Sequence, residues 1–125
     1  MRLTVIKAVT IKAVPSKVWK LFTDTEQIKK YFSSLDPPLL FEADKGKILD
    51  IVPEKFLHTV CPGMIYTGEK ISVEAYPVLY ELEAQDEVCS IRITHGSIAD
   101  EGLAKKIAEA WESFLLALKE KLQPE

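Results

Sequence analysis

Four side chains of this chain have the donor types of a zinc site: His58, Cys61, Cys89 and His95. Their spacing argues against one. His58 and Cys61 are three apart in a segment that reads as a strand, so they point to opposite faces. No metal is expected, and both cysteines read as small apolar packers. His95 falls on the inner face of a predicted strand, near its end. There it is expected to be a hydrogen-bonded structural group or a ligand contact. An unperturbed imidazole also titrates where a general base would. No serine or cysteine nucleophile stands beside an orienting acid in the pattern, so no catalytic residue is assigned. Lys7 interrupts an otherwise apolar strand face. Its ammonium is expected to snorkel to the sheet edge rather than reach inward for a carboxylate or phosphate.

A larger set is aromatic. Trp19, Phe22, Tyr31 and Phe32 come from two short helical stretches, Tyr66 and Tyr80 from strands, and Trp111 and Phe114 from a long helix. Rings gathered on inner faces make either a packed core or a ligand pocket with phenol and indole groups as its polar handles. Together with His95 and Ile107 they are the candidate ligand-binding residues. Tyr80 and Trp111 are the foremost of them, because a buried phenol or indole needs a partner that a ligand could supply.

The elements that would hold these residues follow from period and punctuation. Leu3–Ala13 alternates as a strand with Leu3, Val5, Val9 and Ile11 on one face. Pro15 ends it and suits the first turn of a helix to Phe22. Asp24 or Thr25 caps a second helix to about Tyr31, with Gln27 three residues after Asp24. Asp36-Pro37-Pro38 reads as a turn. Leu39–Ala43 and Lys47–Val52 read as a hairpin through Asp44-Lys45-Gly46, and Phe56–Cys61 as a further strand. Met64–Lys70 fits either a strand or a loop. Ile71–Ala75 looks extended, and Pro77 suggests a bulge or an edge.

The last hairpin is the most definite. Its apolar faces match only with Leu82 opposite Ile91, Glu81 opposite Arg92 and Val78 opposite His95. That register leaves Gln85–Val88 as the loop. Gly96 is expected to end the sheet. Asp100 caps a helix from about Glu101 to Leu122, whose stripe is Leu103, Ile107, Trp111, Phe114, Leu118 and Leu122. One strand, two short helices, a run of antiparallel strands and a long helix make an α+β domain over residues 1–125.

Composition narrows the function. The 125 residues suit one domain, at 47% hydrophobic and 28% charged. A net charge of −3 with scattered lysines speaks against a nucleic-acid groove. Arg2, Lys7 and Lys12 break up any signal peptide, and no stretch approaches the roughly 20 apolar residues of a membrane span. The two cysteines, with no CxxC, fit free thiols in a reducing compartment, so a cytoplasmic location is expected.

Three segments resemble a known family. They are IKAVPSKVWKLFTDTEQIKKYF (Ile11 to Phe32), GKILDIVPEKFLHTV (Gly46 to Val60), and VLYELEAQDEVCSIRITHG followed by the helix with Trp111 and LLALKEKL. They resemble the START-like superfamily of helix-grip proteins, which includes the birch-pollen allergen. Within it they are most similar to the family named for the activator of the heat-shock protein 90 ATPase. The resemblance implies a curved antiparallel sheet wrapped on the C-terminal helix, with a cavity between them. It carries over no catalytic residue and no cofactor. The segment Ser33–Leu40 departs from the family, which usually has a glycine-pair hairpin here. That edge of the sheet is therefore expected to be reduced. Eukaryotic members that activate the chaperone carry a further N-terminal domain, which is not seen here. The resemblance thus implies a ligand cavity, and the leading expectation is a small hydrophobic or amphipathic ligand bound without catalysis; a monomer or weak dimer is expected. Regulation of a chaperone ATPase is the alternative, and a cavity enzyme (a cyclase or hydrolase) the third.

Overall fold

The computed structural model describes residues 3–35, 39–40, 46–61, 65–66, 69–70, 76–98 and 100–123, with only the backbone at 40, 65, 66, 69 and 70. Strand β1 (Leu3–Lys12) alternates as its sequence requires, with Val5 and Ile11 buried and Thr4, Ile6 and Thr10 exposed. Pro15 opens helix α1 (Pro15–Phe22), which buries Val18 and Phe22. Asp24 caps helix α2 (Thr25–Ser33), its carboxylate accepting from the N–H groups of Glu26 and Gln27. The helix runs two residues past Tyr31, so that Phe32 is buried beside Ile28.

The remaining elements are β2 (Leu39–Leu40), β3 (Lys47–Val52), β4 (Phe56–Cys61), β5 (Ile65–Tyr66), β6 (Glu69–Lys70), β7 (Tyr76–Gln85), β8 (Val88–Ile98) and α3 (Glu101–Leu122). Five strands form one antiparallel sheet in the order β1-β8-β7-β4-β3. The two-residue strands β2, β5 and β6 form a separate ladder in that order. Helix α3 lies against β1 and β8, and α1 against β7 and β8. The core fills the space between them.

The register of the last hairpin is as the apolar faces require: Val78 opposite His95, Glu81 opposite Arg92, Leu82 opposite Ile91. On the outer face Arg92 grips Glu81 through Nε at 3.0 Å and Nη2 at 2.8 Å. Asp100 accepts from the N–H groups of Gly102 and Leu103, and so starts α3.

Four expectations change. Leu39–Leu40 pairs with β5 rather than with Lys47–Val52, and residues 41–45 of the expected hairpin lie outside the described residues. A two-residue strand has too little apolar surface to choose a neighbour by itself, and its partner is set by where α2 delivers the chain. The loop of the last hairpin is tighter than Gln85–Val88, because those two residues pair and only Asp86-Glu87 turns, Asp86 at φ 59°. Gly96 does not end the sheet. Strand β8 continues to Ile98 through an irregularity in which Ser97 takes φ 59°, so that Ile98 pairs with Leu3. Pro77 lies on a central strand rather than an edge. It is the second residue of β7 and precedes the first pair with β8 at Val78, so its missing N–H leaves no gap in that ladder. Met64–Lys70 contributes β5 and β6. The turn at Asp36-Pro37-Pro38, the strand at Ile71–Ala75 and the ends of the Leu39–Ala43 reading lie outside the described residues.

Candidate functional site on the inner face of the sheet

The candidate residues converge on one aromatic cluster. Phe22, Phe32, Ile107, Trp111 and Phe114 are at most 1% exposed, and Tyr80 is 3% exposed. They arrive from three directions. Helix α1 brings Phe22 edge-on to Tyr80 of β7, with ring centroids 5.4 Å apart. Helix α2 brings Phe32 edge-on to Trp111 at 5.1 Å and Tyr31 to Phe114 at 5.8 Å. Trp111 stands mid-helix on α3, 6.1 Å from Tyr80. Edge-to-face rings at these spacings are the favoured arrangement of aromatic quadrupoles.

Inside this cluster the indole Nε1–H of Trp111 donates to Nδ1 of His95 at 3.1 Å. The partner that a ligand could have supplied is therefore a side chain. His95 is 1% exposed and is stacked on Tyr76 with centroids 4.9 Å apart and planes 11° apart. Burial lowers its pKa from 6.5 to about 3. The ring is neutral at ordinary pH, with its proton on Nε2, since Nδ1 accepts. Burial also raises the Tyr80 phenol far above its usual range, with the Cys61 thiol a lesser cause. The Cys61 thiol is pushed up to about 11 by burial, against a smaller opposing effect of the Thr59 hydroxyl. Neither group is an ionised nucleophile or base. His58 and Cys61 fall on opposite faces of β4, His58 being opposite outward-facing Leu79.

Trp19 and Tyr31 are half-buried at the margins of the cluster. Tyr31 lines a cleft of about 50 Å³ with Leu21, Phe114 and Leu118, far smaller than ordinary ligand sites of roughly 300–1,000 Å³. Tyr66 lies in β5, and its side chain is outside the described residues. Lys7 does not reach into the interior: its Nζ stands 3.7 Å from Glu112 on α3, at the partly exposed margin of β1.

The inner face does not stop at the cluster. Beyond Tyr80 it continues through Leu57 of β4 to Ile51 and Ile48 of β3. Ile48 and Ile51 are 56% and 44% exposed, although they point to the side that carries the core. Sequence reasoning missed them, because it gave β3 a hairpin partner that would have covered this edge. Tyr76 was also missed. Its signal was its place two residues before Val78, on the same face. A larger depression of about 550 Å³ lies on the opposite, outer face over Glu81, Arg92, Glu83 and Lys55. The Glu81–Arg92 ion pair crosses it, so it is a charged surface trough rather than an apolar receptacle.

No family model and no curated protein matches the chain. Solved structures do. The Aha1 dimer of Colwellia psychrerythraea is 20% identical, matched over 98% of this chain and 97% of that one, with a TM-score of 0.65. The AHSA1-like protein of Rhizobium etli is 20% identical over 100% of this chain and 84% of that one, with a TM-score of 0.71. CalU16 of Micromonospora echinospora is 17% identical over 98% and 83%, with a TM-score of 0.64. Likeness at these identities speaks for architecture alone. The chain thus has the helix-grip fold that these structures share.

Proposed function

We propose that the protein binds a small hydrophobic or amphipathic molecule on the inner face of the sheet, beside the helices, without catalysing its conversion. The observation that carries this reading is the uncovered inner face of β3, where Ile48 and Ile51 extend the core side of the sheet into solvent. Covering each, already about half buried, contributes on the order of 1 kcal/mol. The ligand would lie along Leu57, Ile51 and Ile48 with the ring cluster as its wall. The polar end of an amphipathic molecule would remain in water. The neutral His95, already engaged by Trp111, supports a wall rather than a reactive group.

Native and denaturing mass spectra of freshly purified protein test this, joined by titration with a fluorescent fatty-acyl probe. An adduct lost on denaturation, or saturable probe binding weakened at least about tenfold by Leu57→Glu, is expected. A bare mass in both spectra together with no saturable binding overturns it.

The likeness to Aha1-named structures supports one second reading, regulation of a chaperone ATPase. A purified-chaperone ATPase assay decides it: no change in turnover at saturating protein removes that reading.

A further inference from the structure

The two edges of the main sheet are treated differently. The β1 edge is contacted by α3 and its C-cap. The Lys12 N–H donates to Oε1 of Gln123 at 2.8 Å, and Lys7 faces Glu112 at 3.7 Å. The β3 edge is open: among the described residues β3 pairs only with β4. All six of its residues are exposed, among them Ile48, Leu49, Ile51 and Val52. An apolar edge strand of this kind is a template for another strand.

Its pattern says which strand. Ile48 is opposite Thr59 and Asp50 opposite His58, so Leu49 is an extra residue in a bulge. The bulge shifts the alternation. Ile48 and Ile51 both face inward, while Lys47, Asp50 and Val52 face outward. Two copies of β3 paired antiparallel about a two-fold axis normal to the sheet must set residues of the same face opposite each other. With Ile48 opposite Ile51 of the second copy, and Lys47 opposite Val52 of the second copy, this holds on both sides of the axis, where the bulge residue Leu49 falls opposite Asp50 of the second copy. A slip of one residue either way sets inward residues against outward ones. In the matched register Lys47 lies diagonal to Asp50 of the second copy on the outer face, within reach of its long side chain. Symmetry makes this pair twice. Neither residue has an ion-pair partner among the described residues.

We infer that β3 is the seam of a homodimer, in which two copies join edge to edge into one continuous sheet with Ile48 against Ile51 and Lys47 beside Asp50 across the axis. Pairing about the two-fold axis uses the β3 edge of both copies, so the assembly closes at two rather than growing into a filament.

The test is sedimentation equilibrium on the full chain, with circular dichroism as a check of folding and no ligand added. The wild type is expected to be dimeric. Lys47→Asp alone, or Asp50→Lys alone, sets like charges against each other twice and is expected to weaken association at least about tenfold. The doubly reversed K47D/D50K protein restores the pair and is expected to recover dimerisation. Both substituted positions are exposed, so the fold should persist. A wild type that stays monomeric up to about 1 mM overturns the inference. So does a dimer that is indifferent to single reversal, which would place its contact elsewhere.

Discussion

The indole N–H of Trp111 points from the middle of α3 into Nδ1 of His95 on β8, 3.1 Å away, with both side chains at most 1% exposed. This bond ties the long helix to the sheet at the centre of the fold. It lets the indole donor and the imidazole acceptor stay inside the core, since each satisfies the other. It also defines the tautomer and charge of the histidine: an imidazolium could not accept the indole proton.

Acid should therefore attack this protein through His95. The unfolded chain takes up a proton there near pH 6.5, whereas the folded chain refuses it down to about pH 3. The stability due to the neutral ring is complete above pH 6.5 and is lost as pH falls toward 3. In that window the wild type should lose about 1.4 kcal/mol per pH unit more than His95→Gln, which keeps an acceptor but does not titrate. Urea midpoints from pH 7 to pH 4 measure this, and parallel curves would refute it.

Trp111 and His95 should be energetically coupled. Trp111→Phe leaves a buried acceptor unpaired and removes ring volume, at a cost of about 2–4 kcal/mol. His95→Phe leaves the indole N–H unpaired in turn. The double substitution should cost less than the sum of the two by about 1–2 kcal/mol in a denaturation cycle. Strict additivity would show that the bond contributes nothing net.

Caps should act independently. Asp24 holds the start of α2 and Asp100 the start of α3, each by two N–H groups. Replacement of either by Ala should cost about 1 kcal/mol, and the two together about the sum, because they start different helices. Thermal melts with a common unfolding enthalpy would show it.

Both thiols should be silent in the folded protein. Cys61 and Cys89 are at most 1% exposed, and burial raises the pKa of each, to about 11 for Cys61. The Cys89 thiol also donates to the carbonyl of Ala13 at 3.3 Å. An aromatic disulfide reagent at pH 8 should label neither thiol until denaturant is added, and then both. Rapid labelling under native conditions would mean that the sheet opens locally.

Much of this architecture was legible before any coordinates. Strict alternation in β1, β7 and β8 decides which side chains face the core, because a one-residue slip would invert a whole face. The register of β7 on β8 followed from that alone, and so did the meeting of Val78 with His95. The bounds of α3 followed from Asp100 and a stripe at helical period. The convergence of Phe22, Phe32, Tyr80, Trp111 and Phe114 was legible in the same way, as the inner positions of successive elements.

Three matters belonged to the tertiary structure. Which polar atom meets which depends on distances between elements remote in sequence, so the Trp111–His95 bond could not be read from either residue. The partner of Leu39–Leu40 depends on where the chain emerges from α2, and a two-residue strand carries too little pattern to specify it. The exposure of Ile48 and Ile51 depends on the reach of α1 and α3 across the sheet. Local alternation assigns a residue to a face. Only the packing of whole elements determines whether that face is covered.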